Sequence, residues 1–132
     1  MASVHVPAAT LEEMLRNARK GNAAAAQVIP REKENHWLLL VEQSETVNTP
    51  EMHAAEIDVY IAVAGTAELT LDGALADPKE KSPGQFVGSR ITGGRTIKVA
   101  PGDVVYIPAG VPHQLKTTKT PYRQFVFKLA CR

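Results

Sequence analysis

Residues 102–115, "GDVVYIPAGVPHQL", surround an apolar run with glycines, prolines and one histidine at fixed offsets. The run 103–108 predicts a short strand that ends at Pro108, because β-branched and aromatic residues favour strands. Gly110 can adopt a positive φ, so a turn here would start the next strand at His113. Such a turn would fix the direction of the imidazole, as a metal ligand or a general base requires. Taken alone, the pattern favours a hairpin whose histidine is structural.

A second stretch with several candidate metal ligands lies upstream, "PEMHAAEIDVYIAVAGTAEL" at residues 50–69. Glu51 and His53 are two residues apart, so a strand would project both from one face. Asp58 lies five residues after His53, which is the wrong parity for an uninterrupted strand, so we expect a bend or bulge around residues 54–56. Together with the histidine of the first stretch, these carboxylates and imidazoles form a ligand set that suits a divalent transition metal.

The remaining sequence predicts one helix and an all-β body. Thr10 can cap a helix, with Glu13 as its capping-box partner and Gly21 at its end, so we predict a helix at about 10–20. Short segments rich in β-branched and aromatic residues predict strands at 36–43, 57–64, 67–72, 95–100, 103–108, 113–117 and 122–130. Many short strands with a single helix indicate a sandwich or a barrel.

One long segment, residues 72–95, has no predicted secondary structure. It holds five of the nine glycines of the chain and shows no sustained period. The segment is too long for a plain hairpin turn. It is therefore predicted to be a functional loop, a lid over a barrel mouth or a tolerated surface excursion.

Length and charge limit the classes of function. With 132 residues the chain has the size of one domain, so we predict a single unit over residues 1–132, with a barrel at about 23–130. The formal net charge of +1 gives no overall field that favours nucleic acid or an anionic membrane. Apolar runs are too short for a membrane span, and the single cysteine, Cys131, can form no intramolecular disulfide. We therefore expect a cytoplasmic protein.

The two stretches resemble the paired motifs of the cupin superfamily, whose members are small β-barrels of jelly-roll type. The second motif is a glycine, five residues, P-x-G, two residues and a histidine, matched by Gly102, Pro108, Gly110 and His113. The usual asparagine four residues later is Thr117 here. The resemblance covers about residues 42–129 and implies an all-β, single-domain jelly-roll barrel with a short N-terminal helix.

The first motif keeps its spacing but changes two of its ligands. It is normally H-x-H, four residues, an acid, six residues and a glycine, matched here by Glu51, His53, Asp58 and Gly65. Glu51 stands in place of the first histidine, and Asp58 in place of a glutamate. The sequence also resembles a group of small bacterial single-domain cupins with the same Glu-x-His and Asp. The resemblance implies Zn, Fe, Mn or Ni as the metal, rather than Cu(I), held by Glu51, His53, Asp58 and His113.

Several roles within this site stay open. Because Asp58 reaches less far than a glutamate, Glu56 is an alternative carboxylate ligand, and either residue could act as a catalytic base. Strand parity predicts Tyr60 in the pocket wall, together with Gln124 or Arg123 from the last strand, depending on register. Gln124 would orient a polar substrate, whereas Arg123 would favour a carboxylate or an enolate.

Two hypotheses about function follow. One is a metal-dependent enzyme of dioxygenase, isomerase or lyase type that acts on a small organic molecule in the barrel. The other is a non-catalytic cupin that binds a sugar or carboxylate ligand, with or without a structural metal. The sequence contains no dinucleotide-binding or phosphate-binding fingerprint. On the opposite face, the apolar residues Val59, Ile61 and Val63 favour burial in a homodimer.

Overall fold

The structure is a computed structural model that describes residues 2–31 and 35–131. Its elements in that part of the chain are α1 Ala8–Lys20, β1 Ala25–Ile29, β2 His36–Gln43, β3 Glu51–His53, β4 Glu56–Ala64, β5 Ala67–Leu71, β6 Ala74–Ala76, β7 Lys79–Ser82, β8 Gln85–Val87, β9 Arg90–Thr92, β10 Arg95–Val99, β11 Val104–Ile107, β12 His113–Thr117 and β13 Tyr122–Ala130. Within the described residues, no helix has the length and apolar character needed to span a membrane.

The strands form two large sheets that enclose one core. The five-stranded sheet has the order β1-β2-β13-β4-β11, and the six-stranded sheet has the order β10-β5-β12-β3-β8-β7, while β6 and β9 pair separately. The core joins Tyr60 and Val126 of the first sheet to Leu69 and Leu115 of the second. The predicted all-β jelly-roll is confirmed. The strands predicted at 36–43, 113–117 and 122–130 are confirmed at both ends, and the other four within one residue.

Strand parity decides which side chains face the interior. Alternate residues are buried along β4 and β13: Glu56, Asp58, Tyr60, Ala62, Tyr122, Gln124 and Val126. Arg123 lies on the outer side, where its guanidinium donates to the carboxylates of Glu12 and Glu42. Of the two residues that the sequence left open on the last strand, the inward one is therefore Gln124.

The helix begins two residues earlier than predicted. The residue before it is Pro7, whose carbonyl accepts the N–H groups of Thr10 and Leu11, and no side chain caps the helix. The prediction that Thr10 is the N-cap is wrong, because Thr10 already lies in the first turn and donates its own N–H. Gly21 ends the helix as predicted. Leu15 anchors the helix in a second apolar cluster outside the five-stranded sheet, against Leu40 and its neighbours.

Residues 72–95, for which the sequence predicts no secondary structure, are not a plain loop. They contain four short strands, of which β7 and β8 extend the six-stranded sheet through pairing of β8 with β3. The sequence did not indicate these strands because they are only three or four residues long and have no fully buried residue. Every residue of β7, for example, is exposed. The segment thereby places Gln85 opposite His53.

The predicted bend between His53 and Asp58 is the crossing from one sheet to the other. The strand β3 ends at His53 in the six-stranded sheet, a turn follows at residues 54–55, and β4 begins at Glu56 in the five-stranded sheet. At this crossing the chain passes from one sheet to the sheet that packs opposite it. Ligand candidates from both motifs therefore meet between the sheets.

Candidate metal centre

Three side chains bring one potential ligand atom each to a common point. Glu51 and His53 come from β3 and His113 from β12, where His113 is the cross-strand partner of Glu51. The three ligand atoms all lie within 4.8 Å of one another. The Glu51 Oε1 atom lies 3.3 Å from His113 Nε2 and 3.6 Å from His53 Nε2. Both motifs of the sequence therefore converge on one centre.

The turn before His113 fixes both the position and the tautomer of its ring. Gly110 adopts a φ of +79° and donates its N–H to the His53 carbonyl at 2.8 Å, which ties the turn to the end of β3. The His113 Nδ1–H donates to the carbonyl of Val111 at 3.0 Å. In the neutral ring, the other nitrogen, Nε2, therefore carries the lone pair, and it faces the centre. It is the one buried side-chain nitrogen or oxygen atom without a hydrogen-bond partner in the described chain.

A side-chain amide orients the second imidazole. Gln85 is the cross-strand partner of His53, and its Oε1 accepts the His53 Nδ1–H at 2.5 Å. The Gln85 Nε2 in turn donates to Glu56 Oε1 at 3.0 Å. This relay directs His53 Nε2 toward the centre, in the way that outer hydrogen bonds commonly orient metal-binding histidines.

These residues fit a divalent transition metal. A buried nitrogen lone pair that faces a carboxylate oxygen without a hydrogen between them is unfavourable unless a cation stands there. Two imidazoles and one carboxylate are a common ligand set for Fe, Mn, Ni or Zn. The residues that could hold the ion are Glu51, His53 and His113, while the fourth predicted ligand, Asp58, stays a prediction.

Asp58 belongs to the centre but has a second partner. It is 1% exposed, and its Oδ2 lies 3.3 Å from His53 Nε2 and 3.6 Å from His113 Nε2. Its Oδ1 accepts a hydrogen bond from Lys128 Nζ at 2.7 Å, and Lys128 is the cross-strand partner of Asp58. Lys128 Nζ also lies 3.4 Å from His53 Nε2. Asp58 thus lies between the two imidazoles and the ammonium group of Lys128.

The charges of the centre are strongly coupled. Burial disfavours the imidazolium of His53, but the neighbouring carboxylates of Asp58 and Glu51 outweigh burial and raise its pKa to about 10. Burial also opposes ionisation of Glu51, yet the two histidines hold the pKa of this carboxyl below its usual range. The pKa of Asp58 is lowered against burial by His53 and Lys128. Without a metal, His53 is therefore a cation between two carboxylates.

Glu56 lies behind the His53 ring rather than among the ligand atoms. Its Oε1 is 4.0 Å from His53 Nδ1, the nitrogen that faces away from the centre. Its Oε2 is 3.5 Å from Arg31 Nη1. Since Gln85 donates to the first oxygen, Glu56 has a positioning role toward His53, and its predicted roles as ligand or base stay predictions.

An open cavity of about 460 Å³ adjoins the centre. Its wall consists of Gln27, Arg31, Trp37, Glu51, His53, Glu56, Gln85 and Lys128. The predicted pocket residues Tyr60 and Gln124 are buried but do not line this cavity. Tyr60 instead packs edge-on against the His113 ring, and burial together with the charges of Asp58 and Glu51 raises its pKa well above the usual value. Gln124 Oε1 accepts a hydrogen bond from the Tyr122 hydroxyl at 2.7 Å.

Sequence reasoning missed two residues of this site, Gln85 and Lys128. Gln85 lies in the segment that shows no period, so no pattern singled it out. Lys128 offered a weak signal, because it shares the parity of Gln124 and Val126 on the last strand. Register alone brings it opposite Asp58.

Comparison with known proteins supports the fold. No protein-family model and no curated protein matches this sequence. A solved structure of a Cupin 2 conserved barrel domain protein from Salinispora arenicola is 22% identical, with a TM-score of 0.55 over 80% of this chain and 73% of that one. A predicted oxalate decarboxylase from Thermotoga maritima is 13% identical, with a TM-score of 0.60 over 80% and 78%.

The DMSP lyase DddQ from Ruegeria pomeroyi is 20% identical, with a TM-score of 0.59 over 81% of this chain. The present chain spans only 46% of that protein. At such identities these similarities establish the architecture, while the chemistry has to be argued from the residues of the site.

Proposed function

Because this chain has the cupin fold, we propose that it is a metal-dependent enzyme acting on a small organic molecule in the cavity beside Glu51, His53 and His113. The observation that carries the proposal is the buried Nε2 of His113, which has no hydrogen-bond partner and faces the other two ligand atoms. The reaction classes consistent with the site are dioxygenase, isomerase and lyase chemistry. Similar folds include proteins described as a lyase, an oxidase and a predicted decarboxylase.

The proposed roles of the residues follow from their contacts. Glu51, His53 and His113 would hold Zn, Fe, Mn or Ni, and a bound ion would supply a Lewis acid at the inner end of the cavity. Lys128 lines the cavity and donates to Asp58, so these two residues form a pair that can give or accept a proton at the bound molecule. Gln85 and Glu56 keep the His53 ring in place.

One observation favours the second hypothesis, a non-catalytic binding module. The Lys128 ammonium lies 3.4 Å from His53 Nε2, so a fixed cation already stands beside the ligand atoms. This cation could attract a ligand when no metal is bound. The two hypotheses differ in whether the bound molecule is chemically changed.

Turnover by the metal-loaded protein tests the proposal. The wild type, loaded separately with Fe²⁺, Mn²⁺, Zn²⁺ or Ni²⁺, would be incubated with a library of small acids, sugars and aldehydes, and products measured by mass spectrometry. We expect a product with at least one metal, lost in His113→Ala and kept in the control His5→Ala, whose side chain is exposed. Ligands that bind unchanged, to metal-free and metal-loaded protein alike, would contradict the enzyme and favour the binding module.

A further inference from the structure

We propose that Arg31 and Lys128 form a carboxylate-binding pair, so that the molecule taken by the cavity is a small organic anion. This inference rests on the proposed function and names the substrate class of the same site. Arg31 and Lys128 are the cationic side chains among the cavity-lining residues that the structure describes. The sequence made Arg123 a candidate for carboxylate binding if the register turned it inward, but Arg123 lies on the outer face, bound to Glu12 and Glu42.

Lys128 is a cation held at the inner end of the cavity. Its side chain is only 14% exposed, and the carboxylate of Asp58 compensates its charge at 2.7 Å. An ammonium group has three donors. One is directed to Asp58. Since Lys128 lines the cavity, its remaining donors can be directed to a bound molecule.

Arg31 is a cation held at the outer part of the same cavity. Its guanidinium lies over the Trp37 ring, with the central carbon 4.4 Å from the ring centroid. Among the described residues its carboxylate partner is Glu56, whose Oε2 lies 3.5 Å from Nη1, beyond the usual length of a hydrogen bond. The cation–π contact with Trp37 therefore holds the guanidinium at the cavity wall, and a guanidinium can bind a carboxylate with two hydrogen bonds.

The charge balance of the cavity makes anion binding depend on the metal. Among the described residues, three carboxylates, Glu51, Glu56 and Asp58, face the two cations. A divalent ion would add positive charge beside these groups. An anionic molecule therefore meets a more attractive field in the loaded protein than in the metal-free one.

Succinate and its neutral diamide, succinamide, serve as matched probes of this pair. Binding of each would be measured by calorimetry to the Zn²⁺-loaded wild type, Lys128→Met and Arg31→Gln, with zinc content determined for each sample. The controls are Lys116→Met and Arg90→Gln, which remove exposed cations that do not line the cavity.

We expect the wild type and both controls to bind succinate more tightly than succinamide. Each cavity variant should lower the affinity for succinate by about tenfold or more, the loss typical of a charge-assisted hydrogen bond. The zinc content should stay unchanged. Lys128→Arg, which keeps the charge beside Asp58, should recover part of the affinity. If Lys128→Met does not fold, Arg31→Gln decides, because the Arg31 side chain is 55% exposed.

Equal affinity for succinate and succinamide, or unchanged succinate affinity in the folded cavity variants, would overturn the carboxylate pair. A wild type that binds zinc but shows no such preference would leave the proposed metal centre intact. In the opposite result, the wild type holds no zinc but binds succinate, and Arg31→Gln loses that binding. This result would contradict the metal-dependent enzyme and support the carboxylate-binding pair.

Discussion

The His53 ring depends on one amide for its orientation. Gln85 accepts the Nδ1–H at 2.5 Å and is itself held by Glu56 at 3.0 Å. An imidazole without such a partner can rotate or carry its proton on the wrong nitrogen, and both changes weaken a metal site. At the residue scale, metal affinity therefore depends on a side chain that does not touch the metal.

Replacing Gln85 by leucine should weaken Zn²⁺ binding by about 10–100-fold, the range reported for loss of such outer hydrogen bonds. The matched control is Gln27→Leu, because Gln27 lines the same cavity, whereas the amide that accepts from His53 Nδ1 is that of Gln85. Competition with a chromogenic chelator would measure both affinities. An affinity of Gln85→Leu equal to that of Gln27→Leu would show that His53 needs no orienting partner.

Metal binding should release a proton from His53. Its pKa is raised to about 10, so the metal-free protein keeps the imidazolium at neutral pH, and the metal must displace that proton. Affinity should therefore rise by about tenfold per pH unit between pH 7 and 9. Calorimetry at pH 7.5 in phosphate and in Tris should report release of about one proton; a heat independent of the buffer would mean that the metal-free imidazole is neutral.

The ligands could be predicted from the sequence, but their partners could not. His53 and His113 each lie in a motif that combines a ligand residue with a turn glycine at a fixed spacing. Gln85 and Lys128 reach the centre only as cross-strand partners of His53 and Asp58. Register depends on the stagger of strands that are distant in sequence, so the partners became visible only in the folded chain.

At the scale of elements, two motif glycines have the same backbone conformation for different reasons. Gly65 and Gly110 have φ values of +70° and +79°. A Cβ on Gly65 would overlap the carbonyl oxygen of Pro121, whereas a Cβ on Gly110 meets no atom within 4 Å. Gly65 is therefore required by close packing as well as by φ, and Gly110 by φ alone.

This difference predicts unequal costs of substitution. Gly110→Ala should lower the free energy of unfolding by about 1–2 kcal/mol, the cost of a left-handed conformation for a residue with a Cβ. Gly65→Ala should cost clearly more, since the chain must also move away from Pro121. Urea denaturation of both variants would measure the difference. Equal costs would contradict the role of close packing at Gly65.

Elements with strong alternation were predictable, and those without it were not. The strands at 36–43, 113–117 and 122–130 alternate in burial or pair with a strand on each side, and their bounds are confirmed. The strands within 72–95 are short and solvent-facing, so their pairing depends on tertiary contacts. The helix start was misplaced because a backbone carbonyl, that of Pro7, takes the place of a side-chain cap.

At the scale of the whole molecule, one face of the five-stranded sheet is apolar and exposed. The exposed large side chains on its strands β4, β11 and β13 are Ile61, Val63, Val104, Tyr106 and Phe127. The strand β11 is also an edge of this sheet, with unpaired backbone groups. Apolar patches and open edges of this kind commonly mark an interface. The occupant that we propose is a second copy of the chain.

We expect the protein to form a homodimer of twice its 14.3 kDa mass. Light scattering coupled to size exclusion would measure the mass of the wild type, of Val104→Asp with Tyr106→Asp, and of the control Val47→Asp. Val47 is also exposed but lies outside this sheet. The double variant should be monomeric, and the control dimeric. A monomeric wild type at about 0.1 mM would contradict the dimer, since a stable C2 interface of ordinary affinity would be populated there.

The central claim of this account is that Glu51, His53 and His113 hold one metal ion. The most direct measurement is elemental analysis by plasma mass spectrometry of the purified, untagged protein, beside His53→Ala, His113→Ala and the control His5→Ala. We expect about one equivalent of Zn, Fe, Mn or Ni in the wild type and the control, and none in the two site variants. A wild type without metal, even after reconstitution, would contradict the claim.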